Sequence, residues 1–226
     1  MATARKMARD GMCEGTVVLA AEQTAGKGRR GRKWFSPPEG SISLSVILHP
    51  SPSQLPQLNM VAALATVTCI EKATGLKPVI KWPNDVLLNG RKVAGILMEN
   101  IFEAGELMTA IVGIGLNVSF DVSDFAEISA IATSLSTELG RELSPGEVLP
   151  LLLRELDQTY HDLQSGANIY ERWLTRVETL GKVVQVKSGG SPGDSVEEGY
   201  AESINADGSI TLRRADGSLV TIVTGE

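Results

Sequence analysis

Cysteine, histidine and aromatic residues are all scarce in this chain of 226 residues. Cys13 and Cys69 are its only cysteines, and two thiols make neither a disulfide framework nor a zinc cluster. His49 and His161 lie far apart, with no metal-ligand spacing near either. So little cysteine predicts a reducing, cytoplasmic compartment. Aromatics make up 4% of the residues, too few for the stacking platforms of single-strand nucleic-acid binders. A net charge of −6 argues against binding along DNA, RNA or an anionic membrane. No apolar run reaches the ~18 residues of a membrane span. Arg5, Lys6 and Arg9 stand near the start, but the apolar stretch of a signal peptide does not follow them.

What is present is ordinary globular material. Hydrophobic residues make up 42% and charged residues 21%, which is enough to bury a core and excludes wholesale disorder. The length suits one domain of typical size with a small appendage. The pattern predicts a helix over 2–10 stopped by Gly11, a strand at 17–21, and a strand at 41–49 with one wet face. A helix is predicted from Ser53 to Ala73, ended by Gly75. Short strands follow at 86–88 and 93–99, joined by a hairpin turn at Asn89–Gly90, and another runs from 107 to 117. Ser144 and Glu147 form a capping box for a helix to Leu163. Asn168 is expected to cap a second helix running through Leu180. From Gly181 onward, short β-type runs alternate with turns at Asp207–Gly208 and Asp216–Gly217. The reading is therefore a main domain over 1–180 and a small β-barrel over 181–226.

Against this acidic background, one basic run stands out. Lys27, Arg29, Arg30, Arg32 and Lys33 place five cations in seven positions, punctuated by Gly26, Gly28 and Gly31. Glycines let backbone N–H groups converge on an anion, and arginine adds bidentate contacts to oxygen. The run lies in an 18-residue loop, 23–40, longer than a mere connector. Such a loop suits a polyanion that has to be enclosed. Its cations repel one another, so it should be mobile when empty and order over its ligand. Trp34 could cover a flat group by stacking. A solvated basic loop or a nucleic-acid patch explains the same composition equally well. The spacing is not that of a Walker A motif.

Two further signals are weak when taken singly. In the first, Lys81-Trp-Pro-Asn-Asp85 precedes Lys92-Val-Ala-Gly95. Lys92 opens an apolar strand after the hairpin turn, so its ammonium can reach across a sheet face; an exposed hairpin lysine is the simpler alternative. In the second, Gly113-Ile-Gly115-Leu-Asn117 puts glycines inside an apolar strand, which weakens it unless something packs close by. Asn117 could offer its amide to a phosphate or ribose, or only cap the strand.

In this order the runs QTAGKGRRGRKW, KWPND, KVAGILME and GIGLNV resemble the biotin protein ligase family over nearly the whole chain. The resemblance implies an α+β fold: a mixed-sheet catalytic domain like that of class II aminoacyl-tRNA synthetases, followed by an SH3-like barrel. It implies an ATP-dependent biotin–[acetyl-CoA carboxylase] ligase, using Mg2+, that forms biotinyl-5'-AMP and passes biotin to a lysine of a biotin carboxyl carrier protein. Lys92 and Arg29 would be catalytic. Biotin would be held by Gln23, Gly26, Lys27, Gly28, Arg29, Lys92, Gly95 and Gly115. ATP would be held by Arg30, Arg32, Trp34, Asp85, Lys92 and Asn117, with Asp85 also associated with the metal. The resemblance also implies a homodimer. The alternatives are a lipoate-type acyl-protein ligase and a biotin-binding protein with impaired ligase activity. The family's Ser-Thr pair, which helps bind biotin, would stand ahead of Met1, so either the sequence starts too late to include it or the pocket lacks one wall. Lys27 stands where the family more often has arginine. The sequence has no room for an N-terminal helix-turn-helix, so no DNA binding is expected.

Overall fold

The structure, a computed structural model, describes residues 1–35, 37–103, 106–188 and 195–225. Its larger sheet is six-stranded. It is built from β1 (Val17–Ala20), β2 (Ser41–Leu48), β3 (Val79–Lys81), β4 (Asp85–Leu88), β5 (Arg91–Glu103) and β6 (Glu106–Asn117), in the order β1-β2-β6-β5-β4-β3. The strand pairings are antiparallel. Parallel pairing enters at two single bridges, Ile80–Val177 and Lys92–Ala132.

Alternation gives the sheet two different faces. Ile42, Leu44 and Val46 of β2, Val112, Ile114 and Leu116 of β6, and Ala94 and Ile96 of β5 point into the core. Helix α1 (Ala2–Arg9) packs Ala4 against Ile47 and Ile111 on the opposite face, and helix α2 (Leu58–Thr74) covers this one. It is buried on nearly every side because it lies between the sheet and α4 (Pro145–Gln164). Truncating one of its buried leucines or isoleucines would cost about 2–5 kcal/mol. Gly75 ends α2 in the left-handed region, at φ 74°. The expected capping box at Ser144 and Glu147 opens α4.

Two expectations need correction. The serine face of β2 is not wet, since all eight residues of the strand are buried. Ser45 accepts a hydrogen bond from the Met1 amino group at 2.9 Å. The second helix, α5 (Ile169–Leu174), stops six residues before Leu180. Its continuation is drawn to the sheet edge instead: Ile80 N–H donates to Arg176 O, and Glu178 N–H donates to Ile80 O. Satisfying that edge outweighs further helical turns.

The smaller sheet is an antiparallel meander of β7 (Val183–Ser188), β8 (Ser195–Ile204), β9 (Ile210–Arg213) and β10 (Leu219–Ile222), in the order β10-β9-β8-β7. Val186, Ala201, Ile204, Ile210, Leu212 and Ile222 join the same buried cluster as the main core. Trp82 Nε1 donates to Gly208 O at 2.7 Å, and the Tyr170 hydroxyl donates to Ile204 O at 2.6 Å. These bonds seat the smaller sheet on the larger unit. Short helix α3 (Leu135–Leu139), capped by Ser134, follows the crossing segment 128–134.

Candidate active site

The face of the large sheet turned away from α2 carries the candidate residues. One row of cross-strand partners takes a residue from each of the six strands: Ala20, Ser43, Gly115, Gly95, Asp85 and Lys81. The next row holds Val18, Ser45, Gly113 and Leu97. Two polar serines and three glycines leave a trough where side chains would otherwise stand. It is the floor of a cavity of about 420 Å3, within the ~300–1,000 Å3 typical of small-molecule sites.

Lys92 reaches this face through a bulge. Asp85 pairs with Gly95 and Val86 with Ala94, but Leu87 pairs with Lys92. The one-residue slip turns Lys92 to the side that Asp85 and Leu87 share; in regular register it would face the core. Its Nζ lies 2.7 Å from Asp85 Oδ1. Its backbone is held from the other side, N–H to Ile131 O at 2.8 Å and C=O from Thr133 N–H at 2.9 Å. It is therefore no exposed hairpin lysine.

The basic run forms a flap over the trough. Trp34 N–H donates to Gly26 O and Gly28 N–H to Arg32 O, and Lys27 bridges Lys33, so the segment is a small hairpin with a 3-10 turn at Arg29–Gly31. Arg30 turns the corner in the left-handed region, at φ 54°. At the base of the hairpin, Trp34 lays its indole on the glycine floor. A Cβ on Gly115 would come within 2.4 Å of the ring, and one on Gly95 within 3.1 Å. The glycines leave room as expected, but here the protein's own Trp34 fills it. Lys92 Nζ lies 5.5 Å from the ring centroid, within cation–π range. Trp34 Nε1 is buried with no hydrogen-bond partner among the described residues. Such an orphan costs about 1–3 kcal/mol, which favours displacement of the ring.

Arg29 points to the rim rather than the floor. Its Nη1 donates to Asn84 Oδ1 at 3.0 Å and Gly225 O at 3.2 Å, and its Nη2 donates to Thr224 Oγ1 at 3.1 Å. Asn84 is fixed for this task, because its Nδ2 donates to Ile96 O and its own carbonyl accepts from Ile96 N–H. Asn117 spends its amide nitrogen on Thr133 O at 2.9 Å, while its Oδ1 is buried without a partner among the described residues. Asn117 is among the residues that line the cavity.

Of the residues singled out in the sequence, Gln23, Lys27, Gly28, Arg29, Arg32, Trp34, Asp85, Lys92, Gly95, Gly115 and Asn117 line this one cavity. Gly26 and Arg30 do not; they build the hairpin. A Cβ on Gly26 would come within 2.3 Å of Trp34 O. Among the described residues no cluster of three or more His, Cys, Asp or Glu side chains is arranged to hold a metal, so Asp85 stands as a lone carboxylate. Sequence reasoning missed Asn84, to which it gave no role, and the wall formed by Ile128 and Ala130–Ala132. That wall is apolar and far along the chain, so no local signal marks it.

Glu138 anchors the wall. Its carboxylate accepts from Thr133 Oγ1, Arg91 and Asn89 Nδ2. Burial raises its pKa most, but the hydrogen bonds from Thr133 and Asn89 and the charge of Arg91 together hold it below the usual carboxylate value.

Comparison with known proteins agrees with this fold. The model of the biotin/lipoate A/B protein ligase family matches residues 4–117. A bifunctional ligase/repressor BirA of Bacillus subtilis is 42% identical over 71% of this chain, but the match covers 50% of that protein. The chain thus spans about half the length of such relatives. A biotin–[acetyl-CoA-carboxylase] ligase of Paracoccus denitrificans is 37% identical over 93% of this chain and 89% of its own. The solved structure of a biotin protein ligase from Aquifex aeolicus in complex with biotin and ATP superposes with a TM-score of 0.79 and 27% identity, covering 98% of this chain and 91% of that one. The chain belongs to the biotin/lipoate A/B protein ligase family.

Proposed function

We propose that the protein is an ATP-dependent biotin protein ligase, which joins biotin to AMP and then passes it to a lysine of a carboxyl carrier domain. The observation that carries this reading is the Lys92–Asp85 pair on a glycine floor beneath a cationic flap. Biotin and ATP are both anions, and their reaction needs positive charge at the point where they meet.

A carboxylate oxygen of biotin attacks the α-phosphorus and pyrophosphate leaves. Lys92 stabilises the negative charge that builds on the phosphate, inside a cavity where water screens it little. Lys27 and Arg32 serve the anions from the flap. Trp34 gives up the floor to biotin and lies against the adenine, while the bare Oδ1 of Asn117 accepts from the nucleotide. Gln23 meets the biotin head group, and Gly95 and Gly115 receive its rings. Arg29, tied to Asn84 and the chain's last described residues, closes the rim and keeps water from a hydrolysable mixed anhydride. A Mg2+ ion fits Asp85: one carboxylate, with phosphate oxygens and water, is an ordinary donor set for it. Bound there, it would offset phosphate charge. In the second step a neutral lysine amine attacks the acyl carbon and AMP leaves.

Incubation with ATP, Mg2+ and a carboxyl carrier domain tests the reading. Biotin should add one biotinyl mass to one carrier lysine, and lipoate should add none. Lipoyl transfer without biotinyl transfer would replace this substrate with the other branch of the family.

A further inference from the structure

A second cleft, of about 250 Å3, opens just ahead of β4, where Trp82, Pro83 and Asn84 lie beside Ile96–Met98 of β5. It has two ends. Its outer rim carries Pro56, Asp207 and Val223, all exposed. Its inner end is formed by Arg29, Asn84, Ile96 and Leu97, which also line the main cavity. Between them the walls mix polar and apolar groups, with Met60, Met98 and Trp173 beside Asn59 among the residues that line them. The two cavities are therefore neighbours, divided at the Arg29–Asn84 contact.

We propose that this cleft admits the acceptor lysine, an inference that rests on the ligase reading. Flap and nucleotide cover the main cavity from above, so the amine needs another way to the acyl carbon. The cleft is below the ~300–1,000 Å3 of whole-ligand sites, and suits a narrow chain. Its methionines can adapt to a stem of methylenes. Asp207 at the rim attracts the incoming ammonium. Contact with Met60, Met98 and Trp173 then favours the neutral amine, which is the nucleophile. At the inner end the lysine nitrogen bonds to the acyl carbon, the bond from that carbon to the phosphate oxygen breaks, AMP leaves, and the amine's extra proton passes to water.

Met98→Trp fills the cleft from inside, and Val223→Arg places a cation at its mouth on a side chain that is 72% exposed, so the second variant keeps the fold if the first does not. Each is compared with the unaltered protein in biotin-dependent pyrophosphate exchange, in acyl transfer to hydroxylamine, and in transfer to saturating carrier domain. The proposal expects normal exchange and normal transfer to hydroxylamine, while transfer to carrier falls by at least about 10-fold. Undiminished carrier transfer in Val223→Arg and in a folded Met98→Trp would overturn it, as would an equal loss in all three assays. Absence of exchange in the unaltered protein would instead remove the ligase reading itself.

Discussion

Gly115 and Trp34 face each other in the trough, and the pair decides what ligand entry must do. Only a residue without a side chain fits under the indole, since any Cβ there would come within 2.4 Å of the ring. In the proposed function biotin claims the same floor, so Trp34 has to move. Trp82 and Trp173 are buried in the core and should stay silent. Adding biotin should therefore shift tryptophan emission, and Trp34→Phe should remove that shift; an equal shift in the variant would show that the indole stays put. Gly115→Ala should weaken biotin binding at least ~10-fold by calorimetry, because a misplaced methyl in a tight floor costs about 1–3 kcal/mol. The glycines and cations were legible in the sequence as residue types. Their partners were not: the bulge that turns Lys92 toward Asp85 is a matter of register, which residue identities do not carry.

At the scale of elements, flap and wall are held by different means. The flap is a hairpin of few bonds, stapled at one end by Trp34 and at the other by Arg29. The wall at 131–133 is bonded to Lys92 and Asn117 and anchored by Glu138. The Glu138 carboxyl is held below its usual value, so its contribution is full above the unfolded value of ~4.3 and is lost as pH falls through the lower, folded one. Glu138→Gln should flatten that acid limb in thermal unfolding monitored from pH 6 to pH 3; an unchanged limb would show that other carboxylates govern it. The elements themselves were largely readable, down to the capping box of α4. The end of α5 was not, because its continuation bonds to a strand nearly a hundred residues earlier.

Across the whole molecule, the smaller sheet takes part in the site. Gly225 threads between Val186 and Trp82, where a Cβ would come within 2.2 Å of a Val186 methyl, and its carbonyl receives Arg29. Gly225→Val should dislodge this segment, loosen the flap and release activated acyl groups, read as several-fold more labelling of bystander proteins. Labelling at the unaltered level would show that the rim closes without it. That connection joins Arg29 to Thr224 and Gly225, 195 and 196 residues away in the chain, so the basic run could announce an anion but not what closes over it. Among the described residues no helix is long and apolar enough to cross a membrane. In the proposed function the fold brings together a site for two anions, and pyrophosphate exchange tests that most directly. Labelled pyrophosphate should enter ATP only when biotin and Mg2+ are present, and Lys92→Ala should slow this by about 100-fold or more. Exchange that ignores biotin, or that persists undiminished without the Lys92 ammonium, would contradict the account.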